Sequence, residues 1–198
     1  MHRDRFSPLP QAQLEGLQCD IADVSAERRV RVDSPALEVM TDLRQVPAAT
    51  VDAGMSQDEA HRAMQARGVR LFLVTDAARG VVGLVTAADF LGERPLRVAQ
   101  ERGLRVGEVN VAQVMTPLSS MEAVRLEDVL RGEVGHVIAT LRRSGRQHAL
   151  VIETAEVGHA RIRGIFSMTQ IARQLGESLP AATEVARNFA EIEAALAA

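Results

Sequence analysis

The stretch Gly83-Leu84-Val85-Thr86-Ala87-Ala88-Asp89 decides the fold. Just before and within it, Val81, Val82, Leu84 and Val85 form a β-rich apolar run too short for a helix, which predicts a buried strand. Thr86 then stands at the N-cap of a helix through Ala87, Ala88 and Phe90. Asp89 falls at the third helical position, where a capping box places a side chain that reaches back to the cap. A helix start carries free backbone N–H groups and the positive end of the peptide dipole. In that setting Thr86 and the N–H groups suit a phosphate, and Asp89 suits ribose hydroxyls. The same residues also make a plain capped helix that binds nothing.

The stretch occurs twice. Gly164-Ile165-Phe166-Ser167-Met168-Thr169-Gln170 repeats its form: glycine, two apolar residues, a hydroxyl, two residues, a polar side chain. Further pairs keep the same order. Val39-Met40-Thr41 matches Val114-Met115-Thr116, and Gly68 to Asp76 matches Gly145 to Glu153. Two copies, offset by roughly 75 to 80 residues, therefore occupy most of the chain and constrain the whole fold.

Composition narrows the function classes. The 198 residues suffice for one large domain or two small ones packed together. The apolar content is 46%, with five Phe and no Trp or Tyr, so the core is built of Val, Leu, Ile, Ala and Met. Scarce aromatics argue against single-stranded nucleic-acid binding, which uses stacking platforms. A net charge of −3 gives no electrostatic footprint for nucleic acid or membrane. Cys19 is the only cysteine, so no internal disulfide forms, as suits a reducing compartment. The opening Met1 to Pro8 lacks the apolar core of a signal peptide, and no run reaches the length of a membrane span. A cytoplasmic location is the expectation.

The units follow in order. An N-terminal extension, 1–33, carries helical spacing at Leu14, Leu17, Ile21 and Val24, and Val30 with Val32 alternates as a brief strand. The first unit spans 34–92. Asp33-Ser34-Pro35 predicts a helix start leading through Leu37, Val39 and Met40. An extended piece at Thr50-Val51 follows, then a helix capped by Ser56 and Glu59 and ended by Gly68. Strands Val69–Thr75 and Val81–Val85 pair across a turn at 76–80. A solvated helical linker covers 93–111. The second unit, 112–176, has a helix from Gly135 to Arg143, strands 148–153 and 162–166, a hairpin loop from Thr154 to Arg161, and a helix from Ser167 to Leu175. A terminal helix, 177–198, lines up Val185, Phe189, Ile192 and Leu196 as a coiled-coil-type seam.

Between about residues 36 and 176 the chain resembles a pair of CBS (cystathionine-β-synthase-type) domains. Val39-Met40-Thr41, Ser56 with Glu59-Ala60, Gly68 to Asp76 and Gly83 to Asp89 carry the resemblance, with counterparts from Val114 to Gln170. It implies an α/β (α+β) fold: two β-α-β-β-α units about a pseudo-twofold axis, sheet against sheet, here with flanking N- and C-terminal helices. It also implies clefts for adenosine nucleotides such as AMP, ADP, ATP or S-adenosylmethionine. By position, Thr86 would meet phosphate and Asp89 the ribose. Leu84 and Ala88 would line the wall, and Val69 and Arg70 would approach the base. His148 would bring a basic group near phosphate, and Ser120-Met121 would close the base side. The second cleft, at Ile165, Ser167 and Gln170, departs from the family pattern. Gln170 stands where an Asp is usual, and an amide lacks the charge that strengthens bonds to hydroxyls. Leu73 and Leu150 replace the proline usual in the middle strand.

His2, His61, His136, His148 and His159 form no spaced metal set with Cys or carboxylates, and no nucleophile elbow or P-loop occurs. Thr86 and Asp89 have no adjacent base for nucleophilic catalysis. The expectation is a regulatory or sensor module, not an enzyme. It would need no cofactor, take an adenosine nucleotide as ligand, work as a homodimer and serve an unidentified protein partner. The competing reading is a protein-interaction or dimerisation module with empty clefts.

Overall fold

A computed structural model describes residues 10, 13, 29–156 and 159–176. The helix expected around Leu14 to Val24, Cys19 and the terminal seam lie outside these residues. Among the described residues, two four-stranded sheets carry the fold: one in the order β2 (Thr50–Asp52), β3 (Leu71–Thr75), β4 (Val81–Thr86), β5 (Thr116–Pro117), the other in the order β1 (Thr41–Asp42), β8 (His159–Ser167), β7 (His148–Glu156), β6 (Ala123–Arg125).

The first sheet is built around the opening stretch. β2, Thr50–Asp52, runs parallel to β3, Leu71–Thr75, which pairs antiparallel with β4, Val81–Thr86. The crossover between β2 and β3 is α1, Gln57–Ala66. Ser56 caps it, accepting from the Glu59 N–H at 3.3 Å and donating to the Glu59 carboxylate at 2.9 Å. α1 buries Ala60 and Met64, one helical turn apart, and Gly68 at φ +63° ends it. After β4 come α2, Ala87–Leu91, and α3, Arg94–Arg102. The predicted linker helix is α3; its polar face is solvated, yet Pro95 and Ala99 are buried.

The second sheet repeats the plan. After α4, Val111–Val114, and β5, Thr116–Pro117, the strand β6, Ala123–Arg125, runs parallel to β7, His148–Glu156. The helices α5, Leu126–Arg131, and α6, Val134–Ser144, make the crossover. β8, His159–Ser167, pairs antiparallel with β7 and leads into α7, Met168–Leu175.

The repeats exchange their leading segments. β1, Thr41–Asp42, belongs by sequence to the first repeat but pairs with β8, with Thr41 opposite Ile165. Reciprocally, β5 pairs with β4, with Thr116 opposite Leu84. The cores follow the same exchange. Ala36, Val39 and Met40 pack with Val137, Leu141, Phe166 and Ile171, whereas Val109, Val111 and Val114 pack with Val51, Met64, Phe72 and Phe90. Gly83 and Gly164 permit this. A Cβ at Gly83 would lie 2.6 Å from the Thr116 carbonyl oxygen, and one at Gly164 would lie 3.0 Å from the Thr41 carbonyl oxygen.

Period-two alternation sorts the strands between layers. Phe72, Val74 and Val85 face the helices, while Leu71, Leu73, Leu84 and Leu150 meet between the sheets. Both faces are covered, so the strands read as continuous apolar runs. Each buried leucine contributes about 1.5–3 kcal/mol relative to leaving it in water.

Three local readings are corrected. Val30 and Val32 form no strand: the chain turns over Arg31 to Ser34, with the Ser34 hydroxyl accepting from the Arg31 N–H at 2.9 Å. Ser34 therefore caps no helix, and only a short 3-10 turn, Ala36–Val39, follows. The Thr154 to Arg161 segment is mostly strand: β7 and β8 extend along it, pairing Thr154 with Ala160 and Glu156 with His159 through register shifts. Lower on this hairpin, Arg163 holds Asp42 in a two-pronged ion pair, and Glu153 accepts from Arg44 at 3.0 Å and Arg161 at 3.1 Å. Arg163 holds the Asp42 carboxyl below the usual carboxylate range.

Candidate functional site

The loop from β4 into α2 places Thr86 and Asp89 together. The Asp89 Oδ2 atom accepts from the Thr86 N–H at 2.8 Å and from the Thr86 hydroxyl at 2.7 Å. This is the reciprocal half of the predicted capping box. The other carboxylate oxygen, Oδ1, accepts from Arg94 Nη1 at 3.2 Å. Arg94 reaches it because the chain breaks at Gly92, between α2 and α3, and turns back at the first residue of α3.

The end of the preceding strand pair lies beside them. The Ala87 N–H donates to the Arg70 carbonyl at 3.1 Å, and Leu71 stands opposite Thr86. His148 comes from the second sheet, the first residue of β7, opposite Ser167. Its imidazole feels both Arg70 and Asp89. Burial pushes its pKa below the ordinary value, the Arg70 charge pushes the same way, and Asp89 opposes them. The structure thus brings Thr86, Asp89, Arg70 and His148 from both repeats to one place.

The remaining expected residues divide. Leu84 is buried between the sheets, and Met121 packs against the same cluster. Ser120 offers its carbonyl to Arg146 Nη2 at 2.9 Å. Ala88 is exposed. The Val69 side chain packs on the helix-side core with Phe72 and Met64, leaving its backbone for any role in the cleft. In the second copy, the Gln170 Oε1 atom accepts from the Thr41 hydroxyl at 3.2 Å, Ser167 caps α7 without a side-chain hydrogen bond, and Ile165 packs against the inter-sheet cluster.

Sequence reasoning missed Arg94 and Arg146. Arg94 follows Asp89 by five positions, which is not a helical neighbour spacing, so only the break at Gly92 creates the contact. An apolar cavity of about 110 Å³ lies elsewhere, beneath α5 and α6, lined by Val129, Val137, Ala149 and Phe166 with Asp128 and His136 among its polar groups. Ligand pockets for drug-sized molecules run from about 300 to 1,000 Å³, so this one is small for a nucleotide.

The depressed His148 pKa has a signed consequence. The folded state binds fewer protons there than the unfolded chain, so stability rises with pH through this group. Its contribution is complete above the ordinary value of 6.5 and is lost as pH falls toward the lower folded value. His148→Gln should flatten the urea midpoint against pH between about pH 5 and 7. An unchanged slope would place the imidazole in solvent.

Comparison with known proteins gives consistent results. The family model for the CBS domain matches residues 36–95. Among solved structures, an uncharacterised conserved protein from Pyrococcus horikoshii is 22% identical, with 77% of this chain and 100% of that chain covered and a TM-score of 0.54. CBSX2 in complex with AMP is 21% identical, with 71% and 94% covered and a TM-score of 0.51. A CBS-domain protein from Agrobacterium tumefaciens is 19% identical, with 69% and 93% covered and a TM-score of 0.50. These likenesses establish the fold. No curated protein matches the sequence. Among the described residues, no helix is long and apolar enough to cross a membrane, and no group of three or more His, Cys, Asp or Glu side chains is placed to hold a metal.

Proposed function

We propose that this CBS-domain protein is a regulatory module that binds an adenosine nucleotide in the cleft of Thr86 and Asp89, and that it catalyses no reaction. The observation that carries the reading is the convergence of a hydroxyl, a carboxylate, Arg70 and the half-buried His148 from the other repeat. A carboxylate suits a ribose diol, and a hydroxyl with basic groups suits phosphate. The AMP bound to CBSX2, whose fold the chain shares, supports the same ligand class. The second cleft is the weaker candidate, because Gln170 is neutral and already engaged by Thr41. The thermal melt tests the reading: a ligand that binds the native state alone adds RT ln(1 + [L]/Kd) to its stability. AMP or ATP should raise the midpoint, and a melt unmoved by millimolar nucleotide would refute the reading. We place the protein in the cytoplasm on its single cysteine, with a protein partner as the target of regulation and no role for nucleic acid or membrane.

The working unit in this proposal is a homodimer. Leu91, Leu130, Leu96 and Leu37 project from helices with relative exposures of 71%, 62%, 52% and 42%. Covering such side chains contributes about 1.5–3 kcal/mol each, enough to offset much of the entropy of association. Sedimentation of the full chain at tens of micromolar should give twice the monomer mass, and a monomer there would refute the dimer. A chain ending at Gly176 should still dimerise if these helices form the contact. Loss of the dimer would move the interface to the Val185–Leu196 segment.

A further inference from the structure

We propose that Arg94 sets the charge class of the ligand, so that the cleft takes a phosphorylated adenosine nucleotide in preference to neutral adenosine or to the sulfonium cation S-adenosylmethionine. The inference rests on the adenosine-nucleotide reading of the Thr86/Asp89 cleft and deepens it.

Asp89 enters the site already occupied. Oδ2 accepts two bonds from Thr86, and Oδ1 accepts from Arg94. Oδ1 is therefore the oxygen left to a ribose diol, and a diol seated there competes with the guanidinium. Arg94 is 41% exposed against 19% for Asp89, so it is the partner free to pivot. Among the described residues its bond to Asp89 is its one side-chain hydrogen bond, leaving most of its five N–H donors for another acceptor.

A guanidinium displaced from a carboxylate has lost a charged partner. A phosphate on the incoming ligand, reached from the Thr86 side of the same carboxylate, replaces it; adenosine supplies none. The surroundings reinforce this choice. Arg70 joins Arg94 as a second cation acting on the same place, with the Asp89 carboxylate opposing it. A sulfonium ligand would enter against these cations. Arg94 is thus a specificity residue whose position is fixed by the corner between α2 and α3.

The test is calorimetric titration of the full chain with AMP, adenosine and S-adenosylmethionine, at low salt, for wild type, Arg94→Gln and Arg94→Lys. Wild type should bind AMP roughly tenfold or more tighter than adenosine, the scale of one charged hydrogen bond. Arg94→Gln should lower AMP affinity about tenfold and leave adenosine affinity unchanged or raised, since the guanidinium that competes with the diol is gone, while Arg94→Lys keeps part of the preference. Adenosine binding as tightly as AMP to wild type, or an AMP-to-adenosine ratio unchanged in Arg94→Gln, would overturn the role of Arg94 while leaving the nucleotide reading standing. An equal loss for AMP and adenosine would assign Arg94 to holding Asp89 and would also overturn it. Absence of binding by all three ligands would refute the nucleotide reading and the specificity with it.

Discussion

Gly83→Ala should lower the stability of the whole chain by about 1–3 kcal/mol, the usual cost of forcing an atom into a packed interior. The new Cβ would stand 2.6 Å from the Thr116 carbonyl oxygen and 2.8 Å from the Met115 sulfur. The sulfur can move, but the carbonyl belongs to β5, which pairs with β4 at Gly83 and Leu84. Relief therefore pushes β5 away from β4 and pulls at Val114 and Met115, which pack on the first core. At this size, each kcal/mol lowers the melting midpoint by roughly 2–4 °C. Gly107→Ala is the control, because its Cβ would meet only the Asp58 carboxylate at 3.5 Å, an ordinary contact. A Gly83→Ala midpoint equal to that of Gly107→Ala would mean that β5 does not lie against β4.

Asp89→Ala should weaken AMP binding by about tenfold to a hundredfold, the cost of removing a charged acceptor of hydrogen bonds. Gln170→Ala should change it less than about threefold, since a neutral amide already bonded to Thr41 has less to offer. The comparison needs a temperature well below both melting midpoints, because Asp89→Ala also removes the bonds that Thr86 donates. Loss of such a cap costs about 0.5–2 kcal/mol of stability on its own. Equal losses of affinity in the two variants would remove the distinction between the clefts.

Much of the fold was legible because its signals are local. Ser56 and Glu59 announce α1 through capping, and Gly68 and Gly145 end their helices through backbone freedom. The alternation in Leu71 to Val74 could not say which face meets the other sheet, since both faces are apolar. The exchange of leading segments was illegible for a different reason. β1 and β5 have two residues each, too few to show a period, and their partners lie more than 30 residues away along the chain. The glycines opposite them carried the available hint, as close backbone approach is one reason for glycine within a strand. Thr154 to Arg161 read as a hairpin loop, longer than its partner in the first repeat, yet edge-to-edge backbone bonding continues along most of it. Asp33 and Ser34 read as caps, but Ser34 turns back to Arg31.

The site divides along the same line. Thr86 and Asp89 are near in sequence, and their contact follows from helix geometry. The approach of His148, and Arg94 on Asp89, depend on how sheets and helices are stacked. The first was expected from the family resemblance, and the second from nothing in the sequence.

The most direct measurement is a calorimetric titration of AMP into the full-length protein at near-neutral pH. The account predicts a saturable isotherm with one site per chain, whose affinity rises as pH is lowered and His148 gains a proton beside the phosphate. A flat isotherm at millimolar AMP would contradict it.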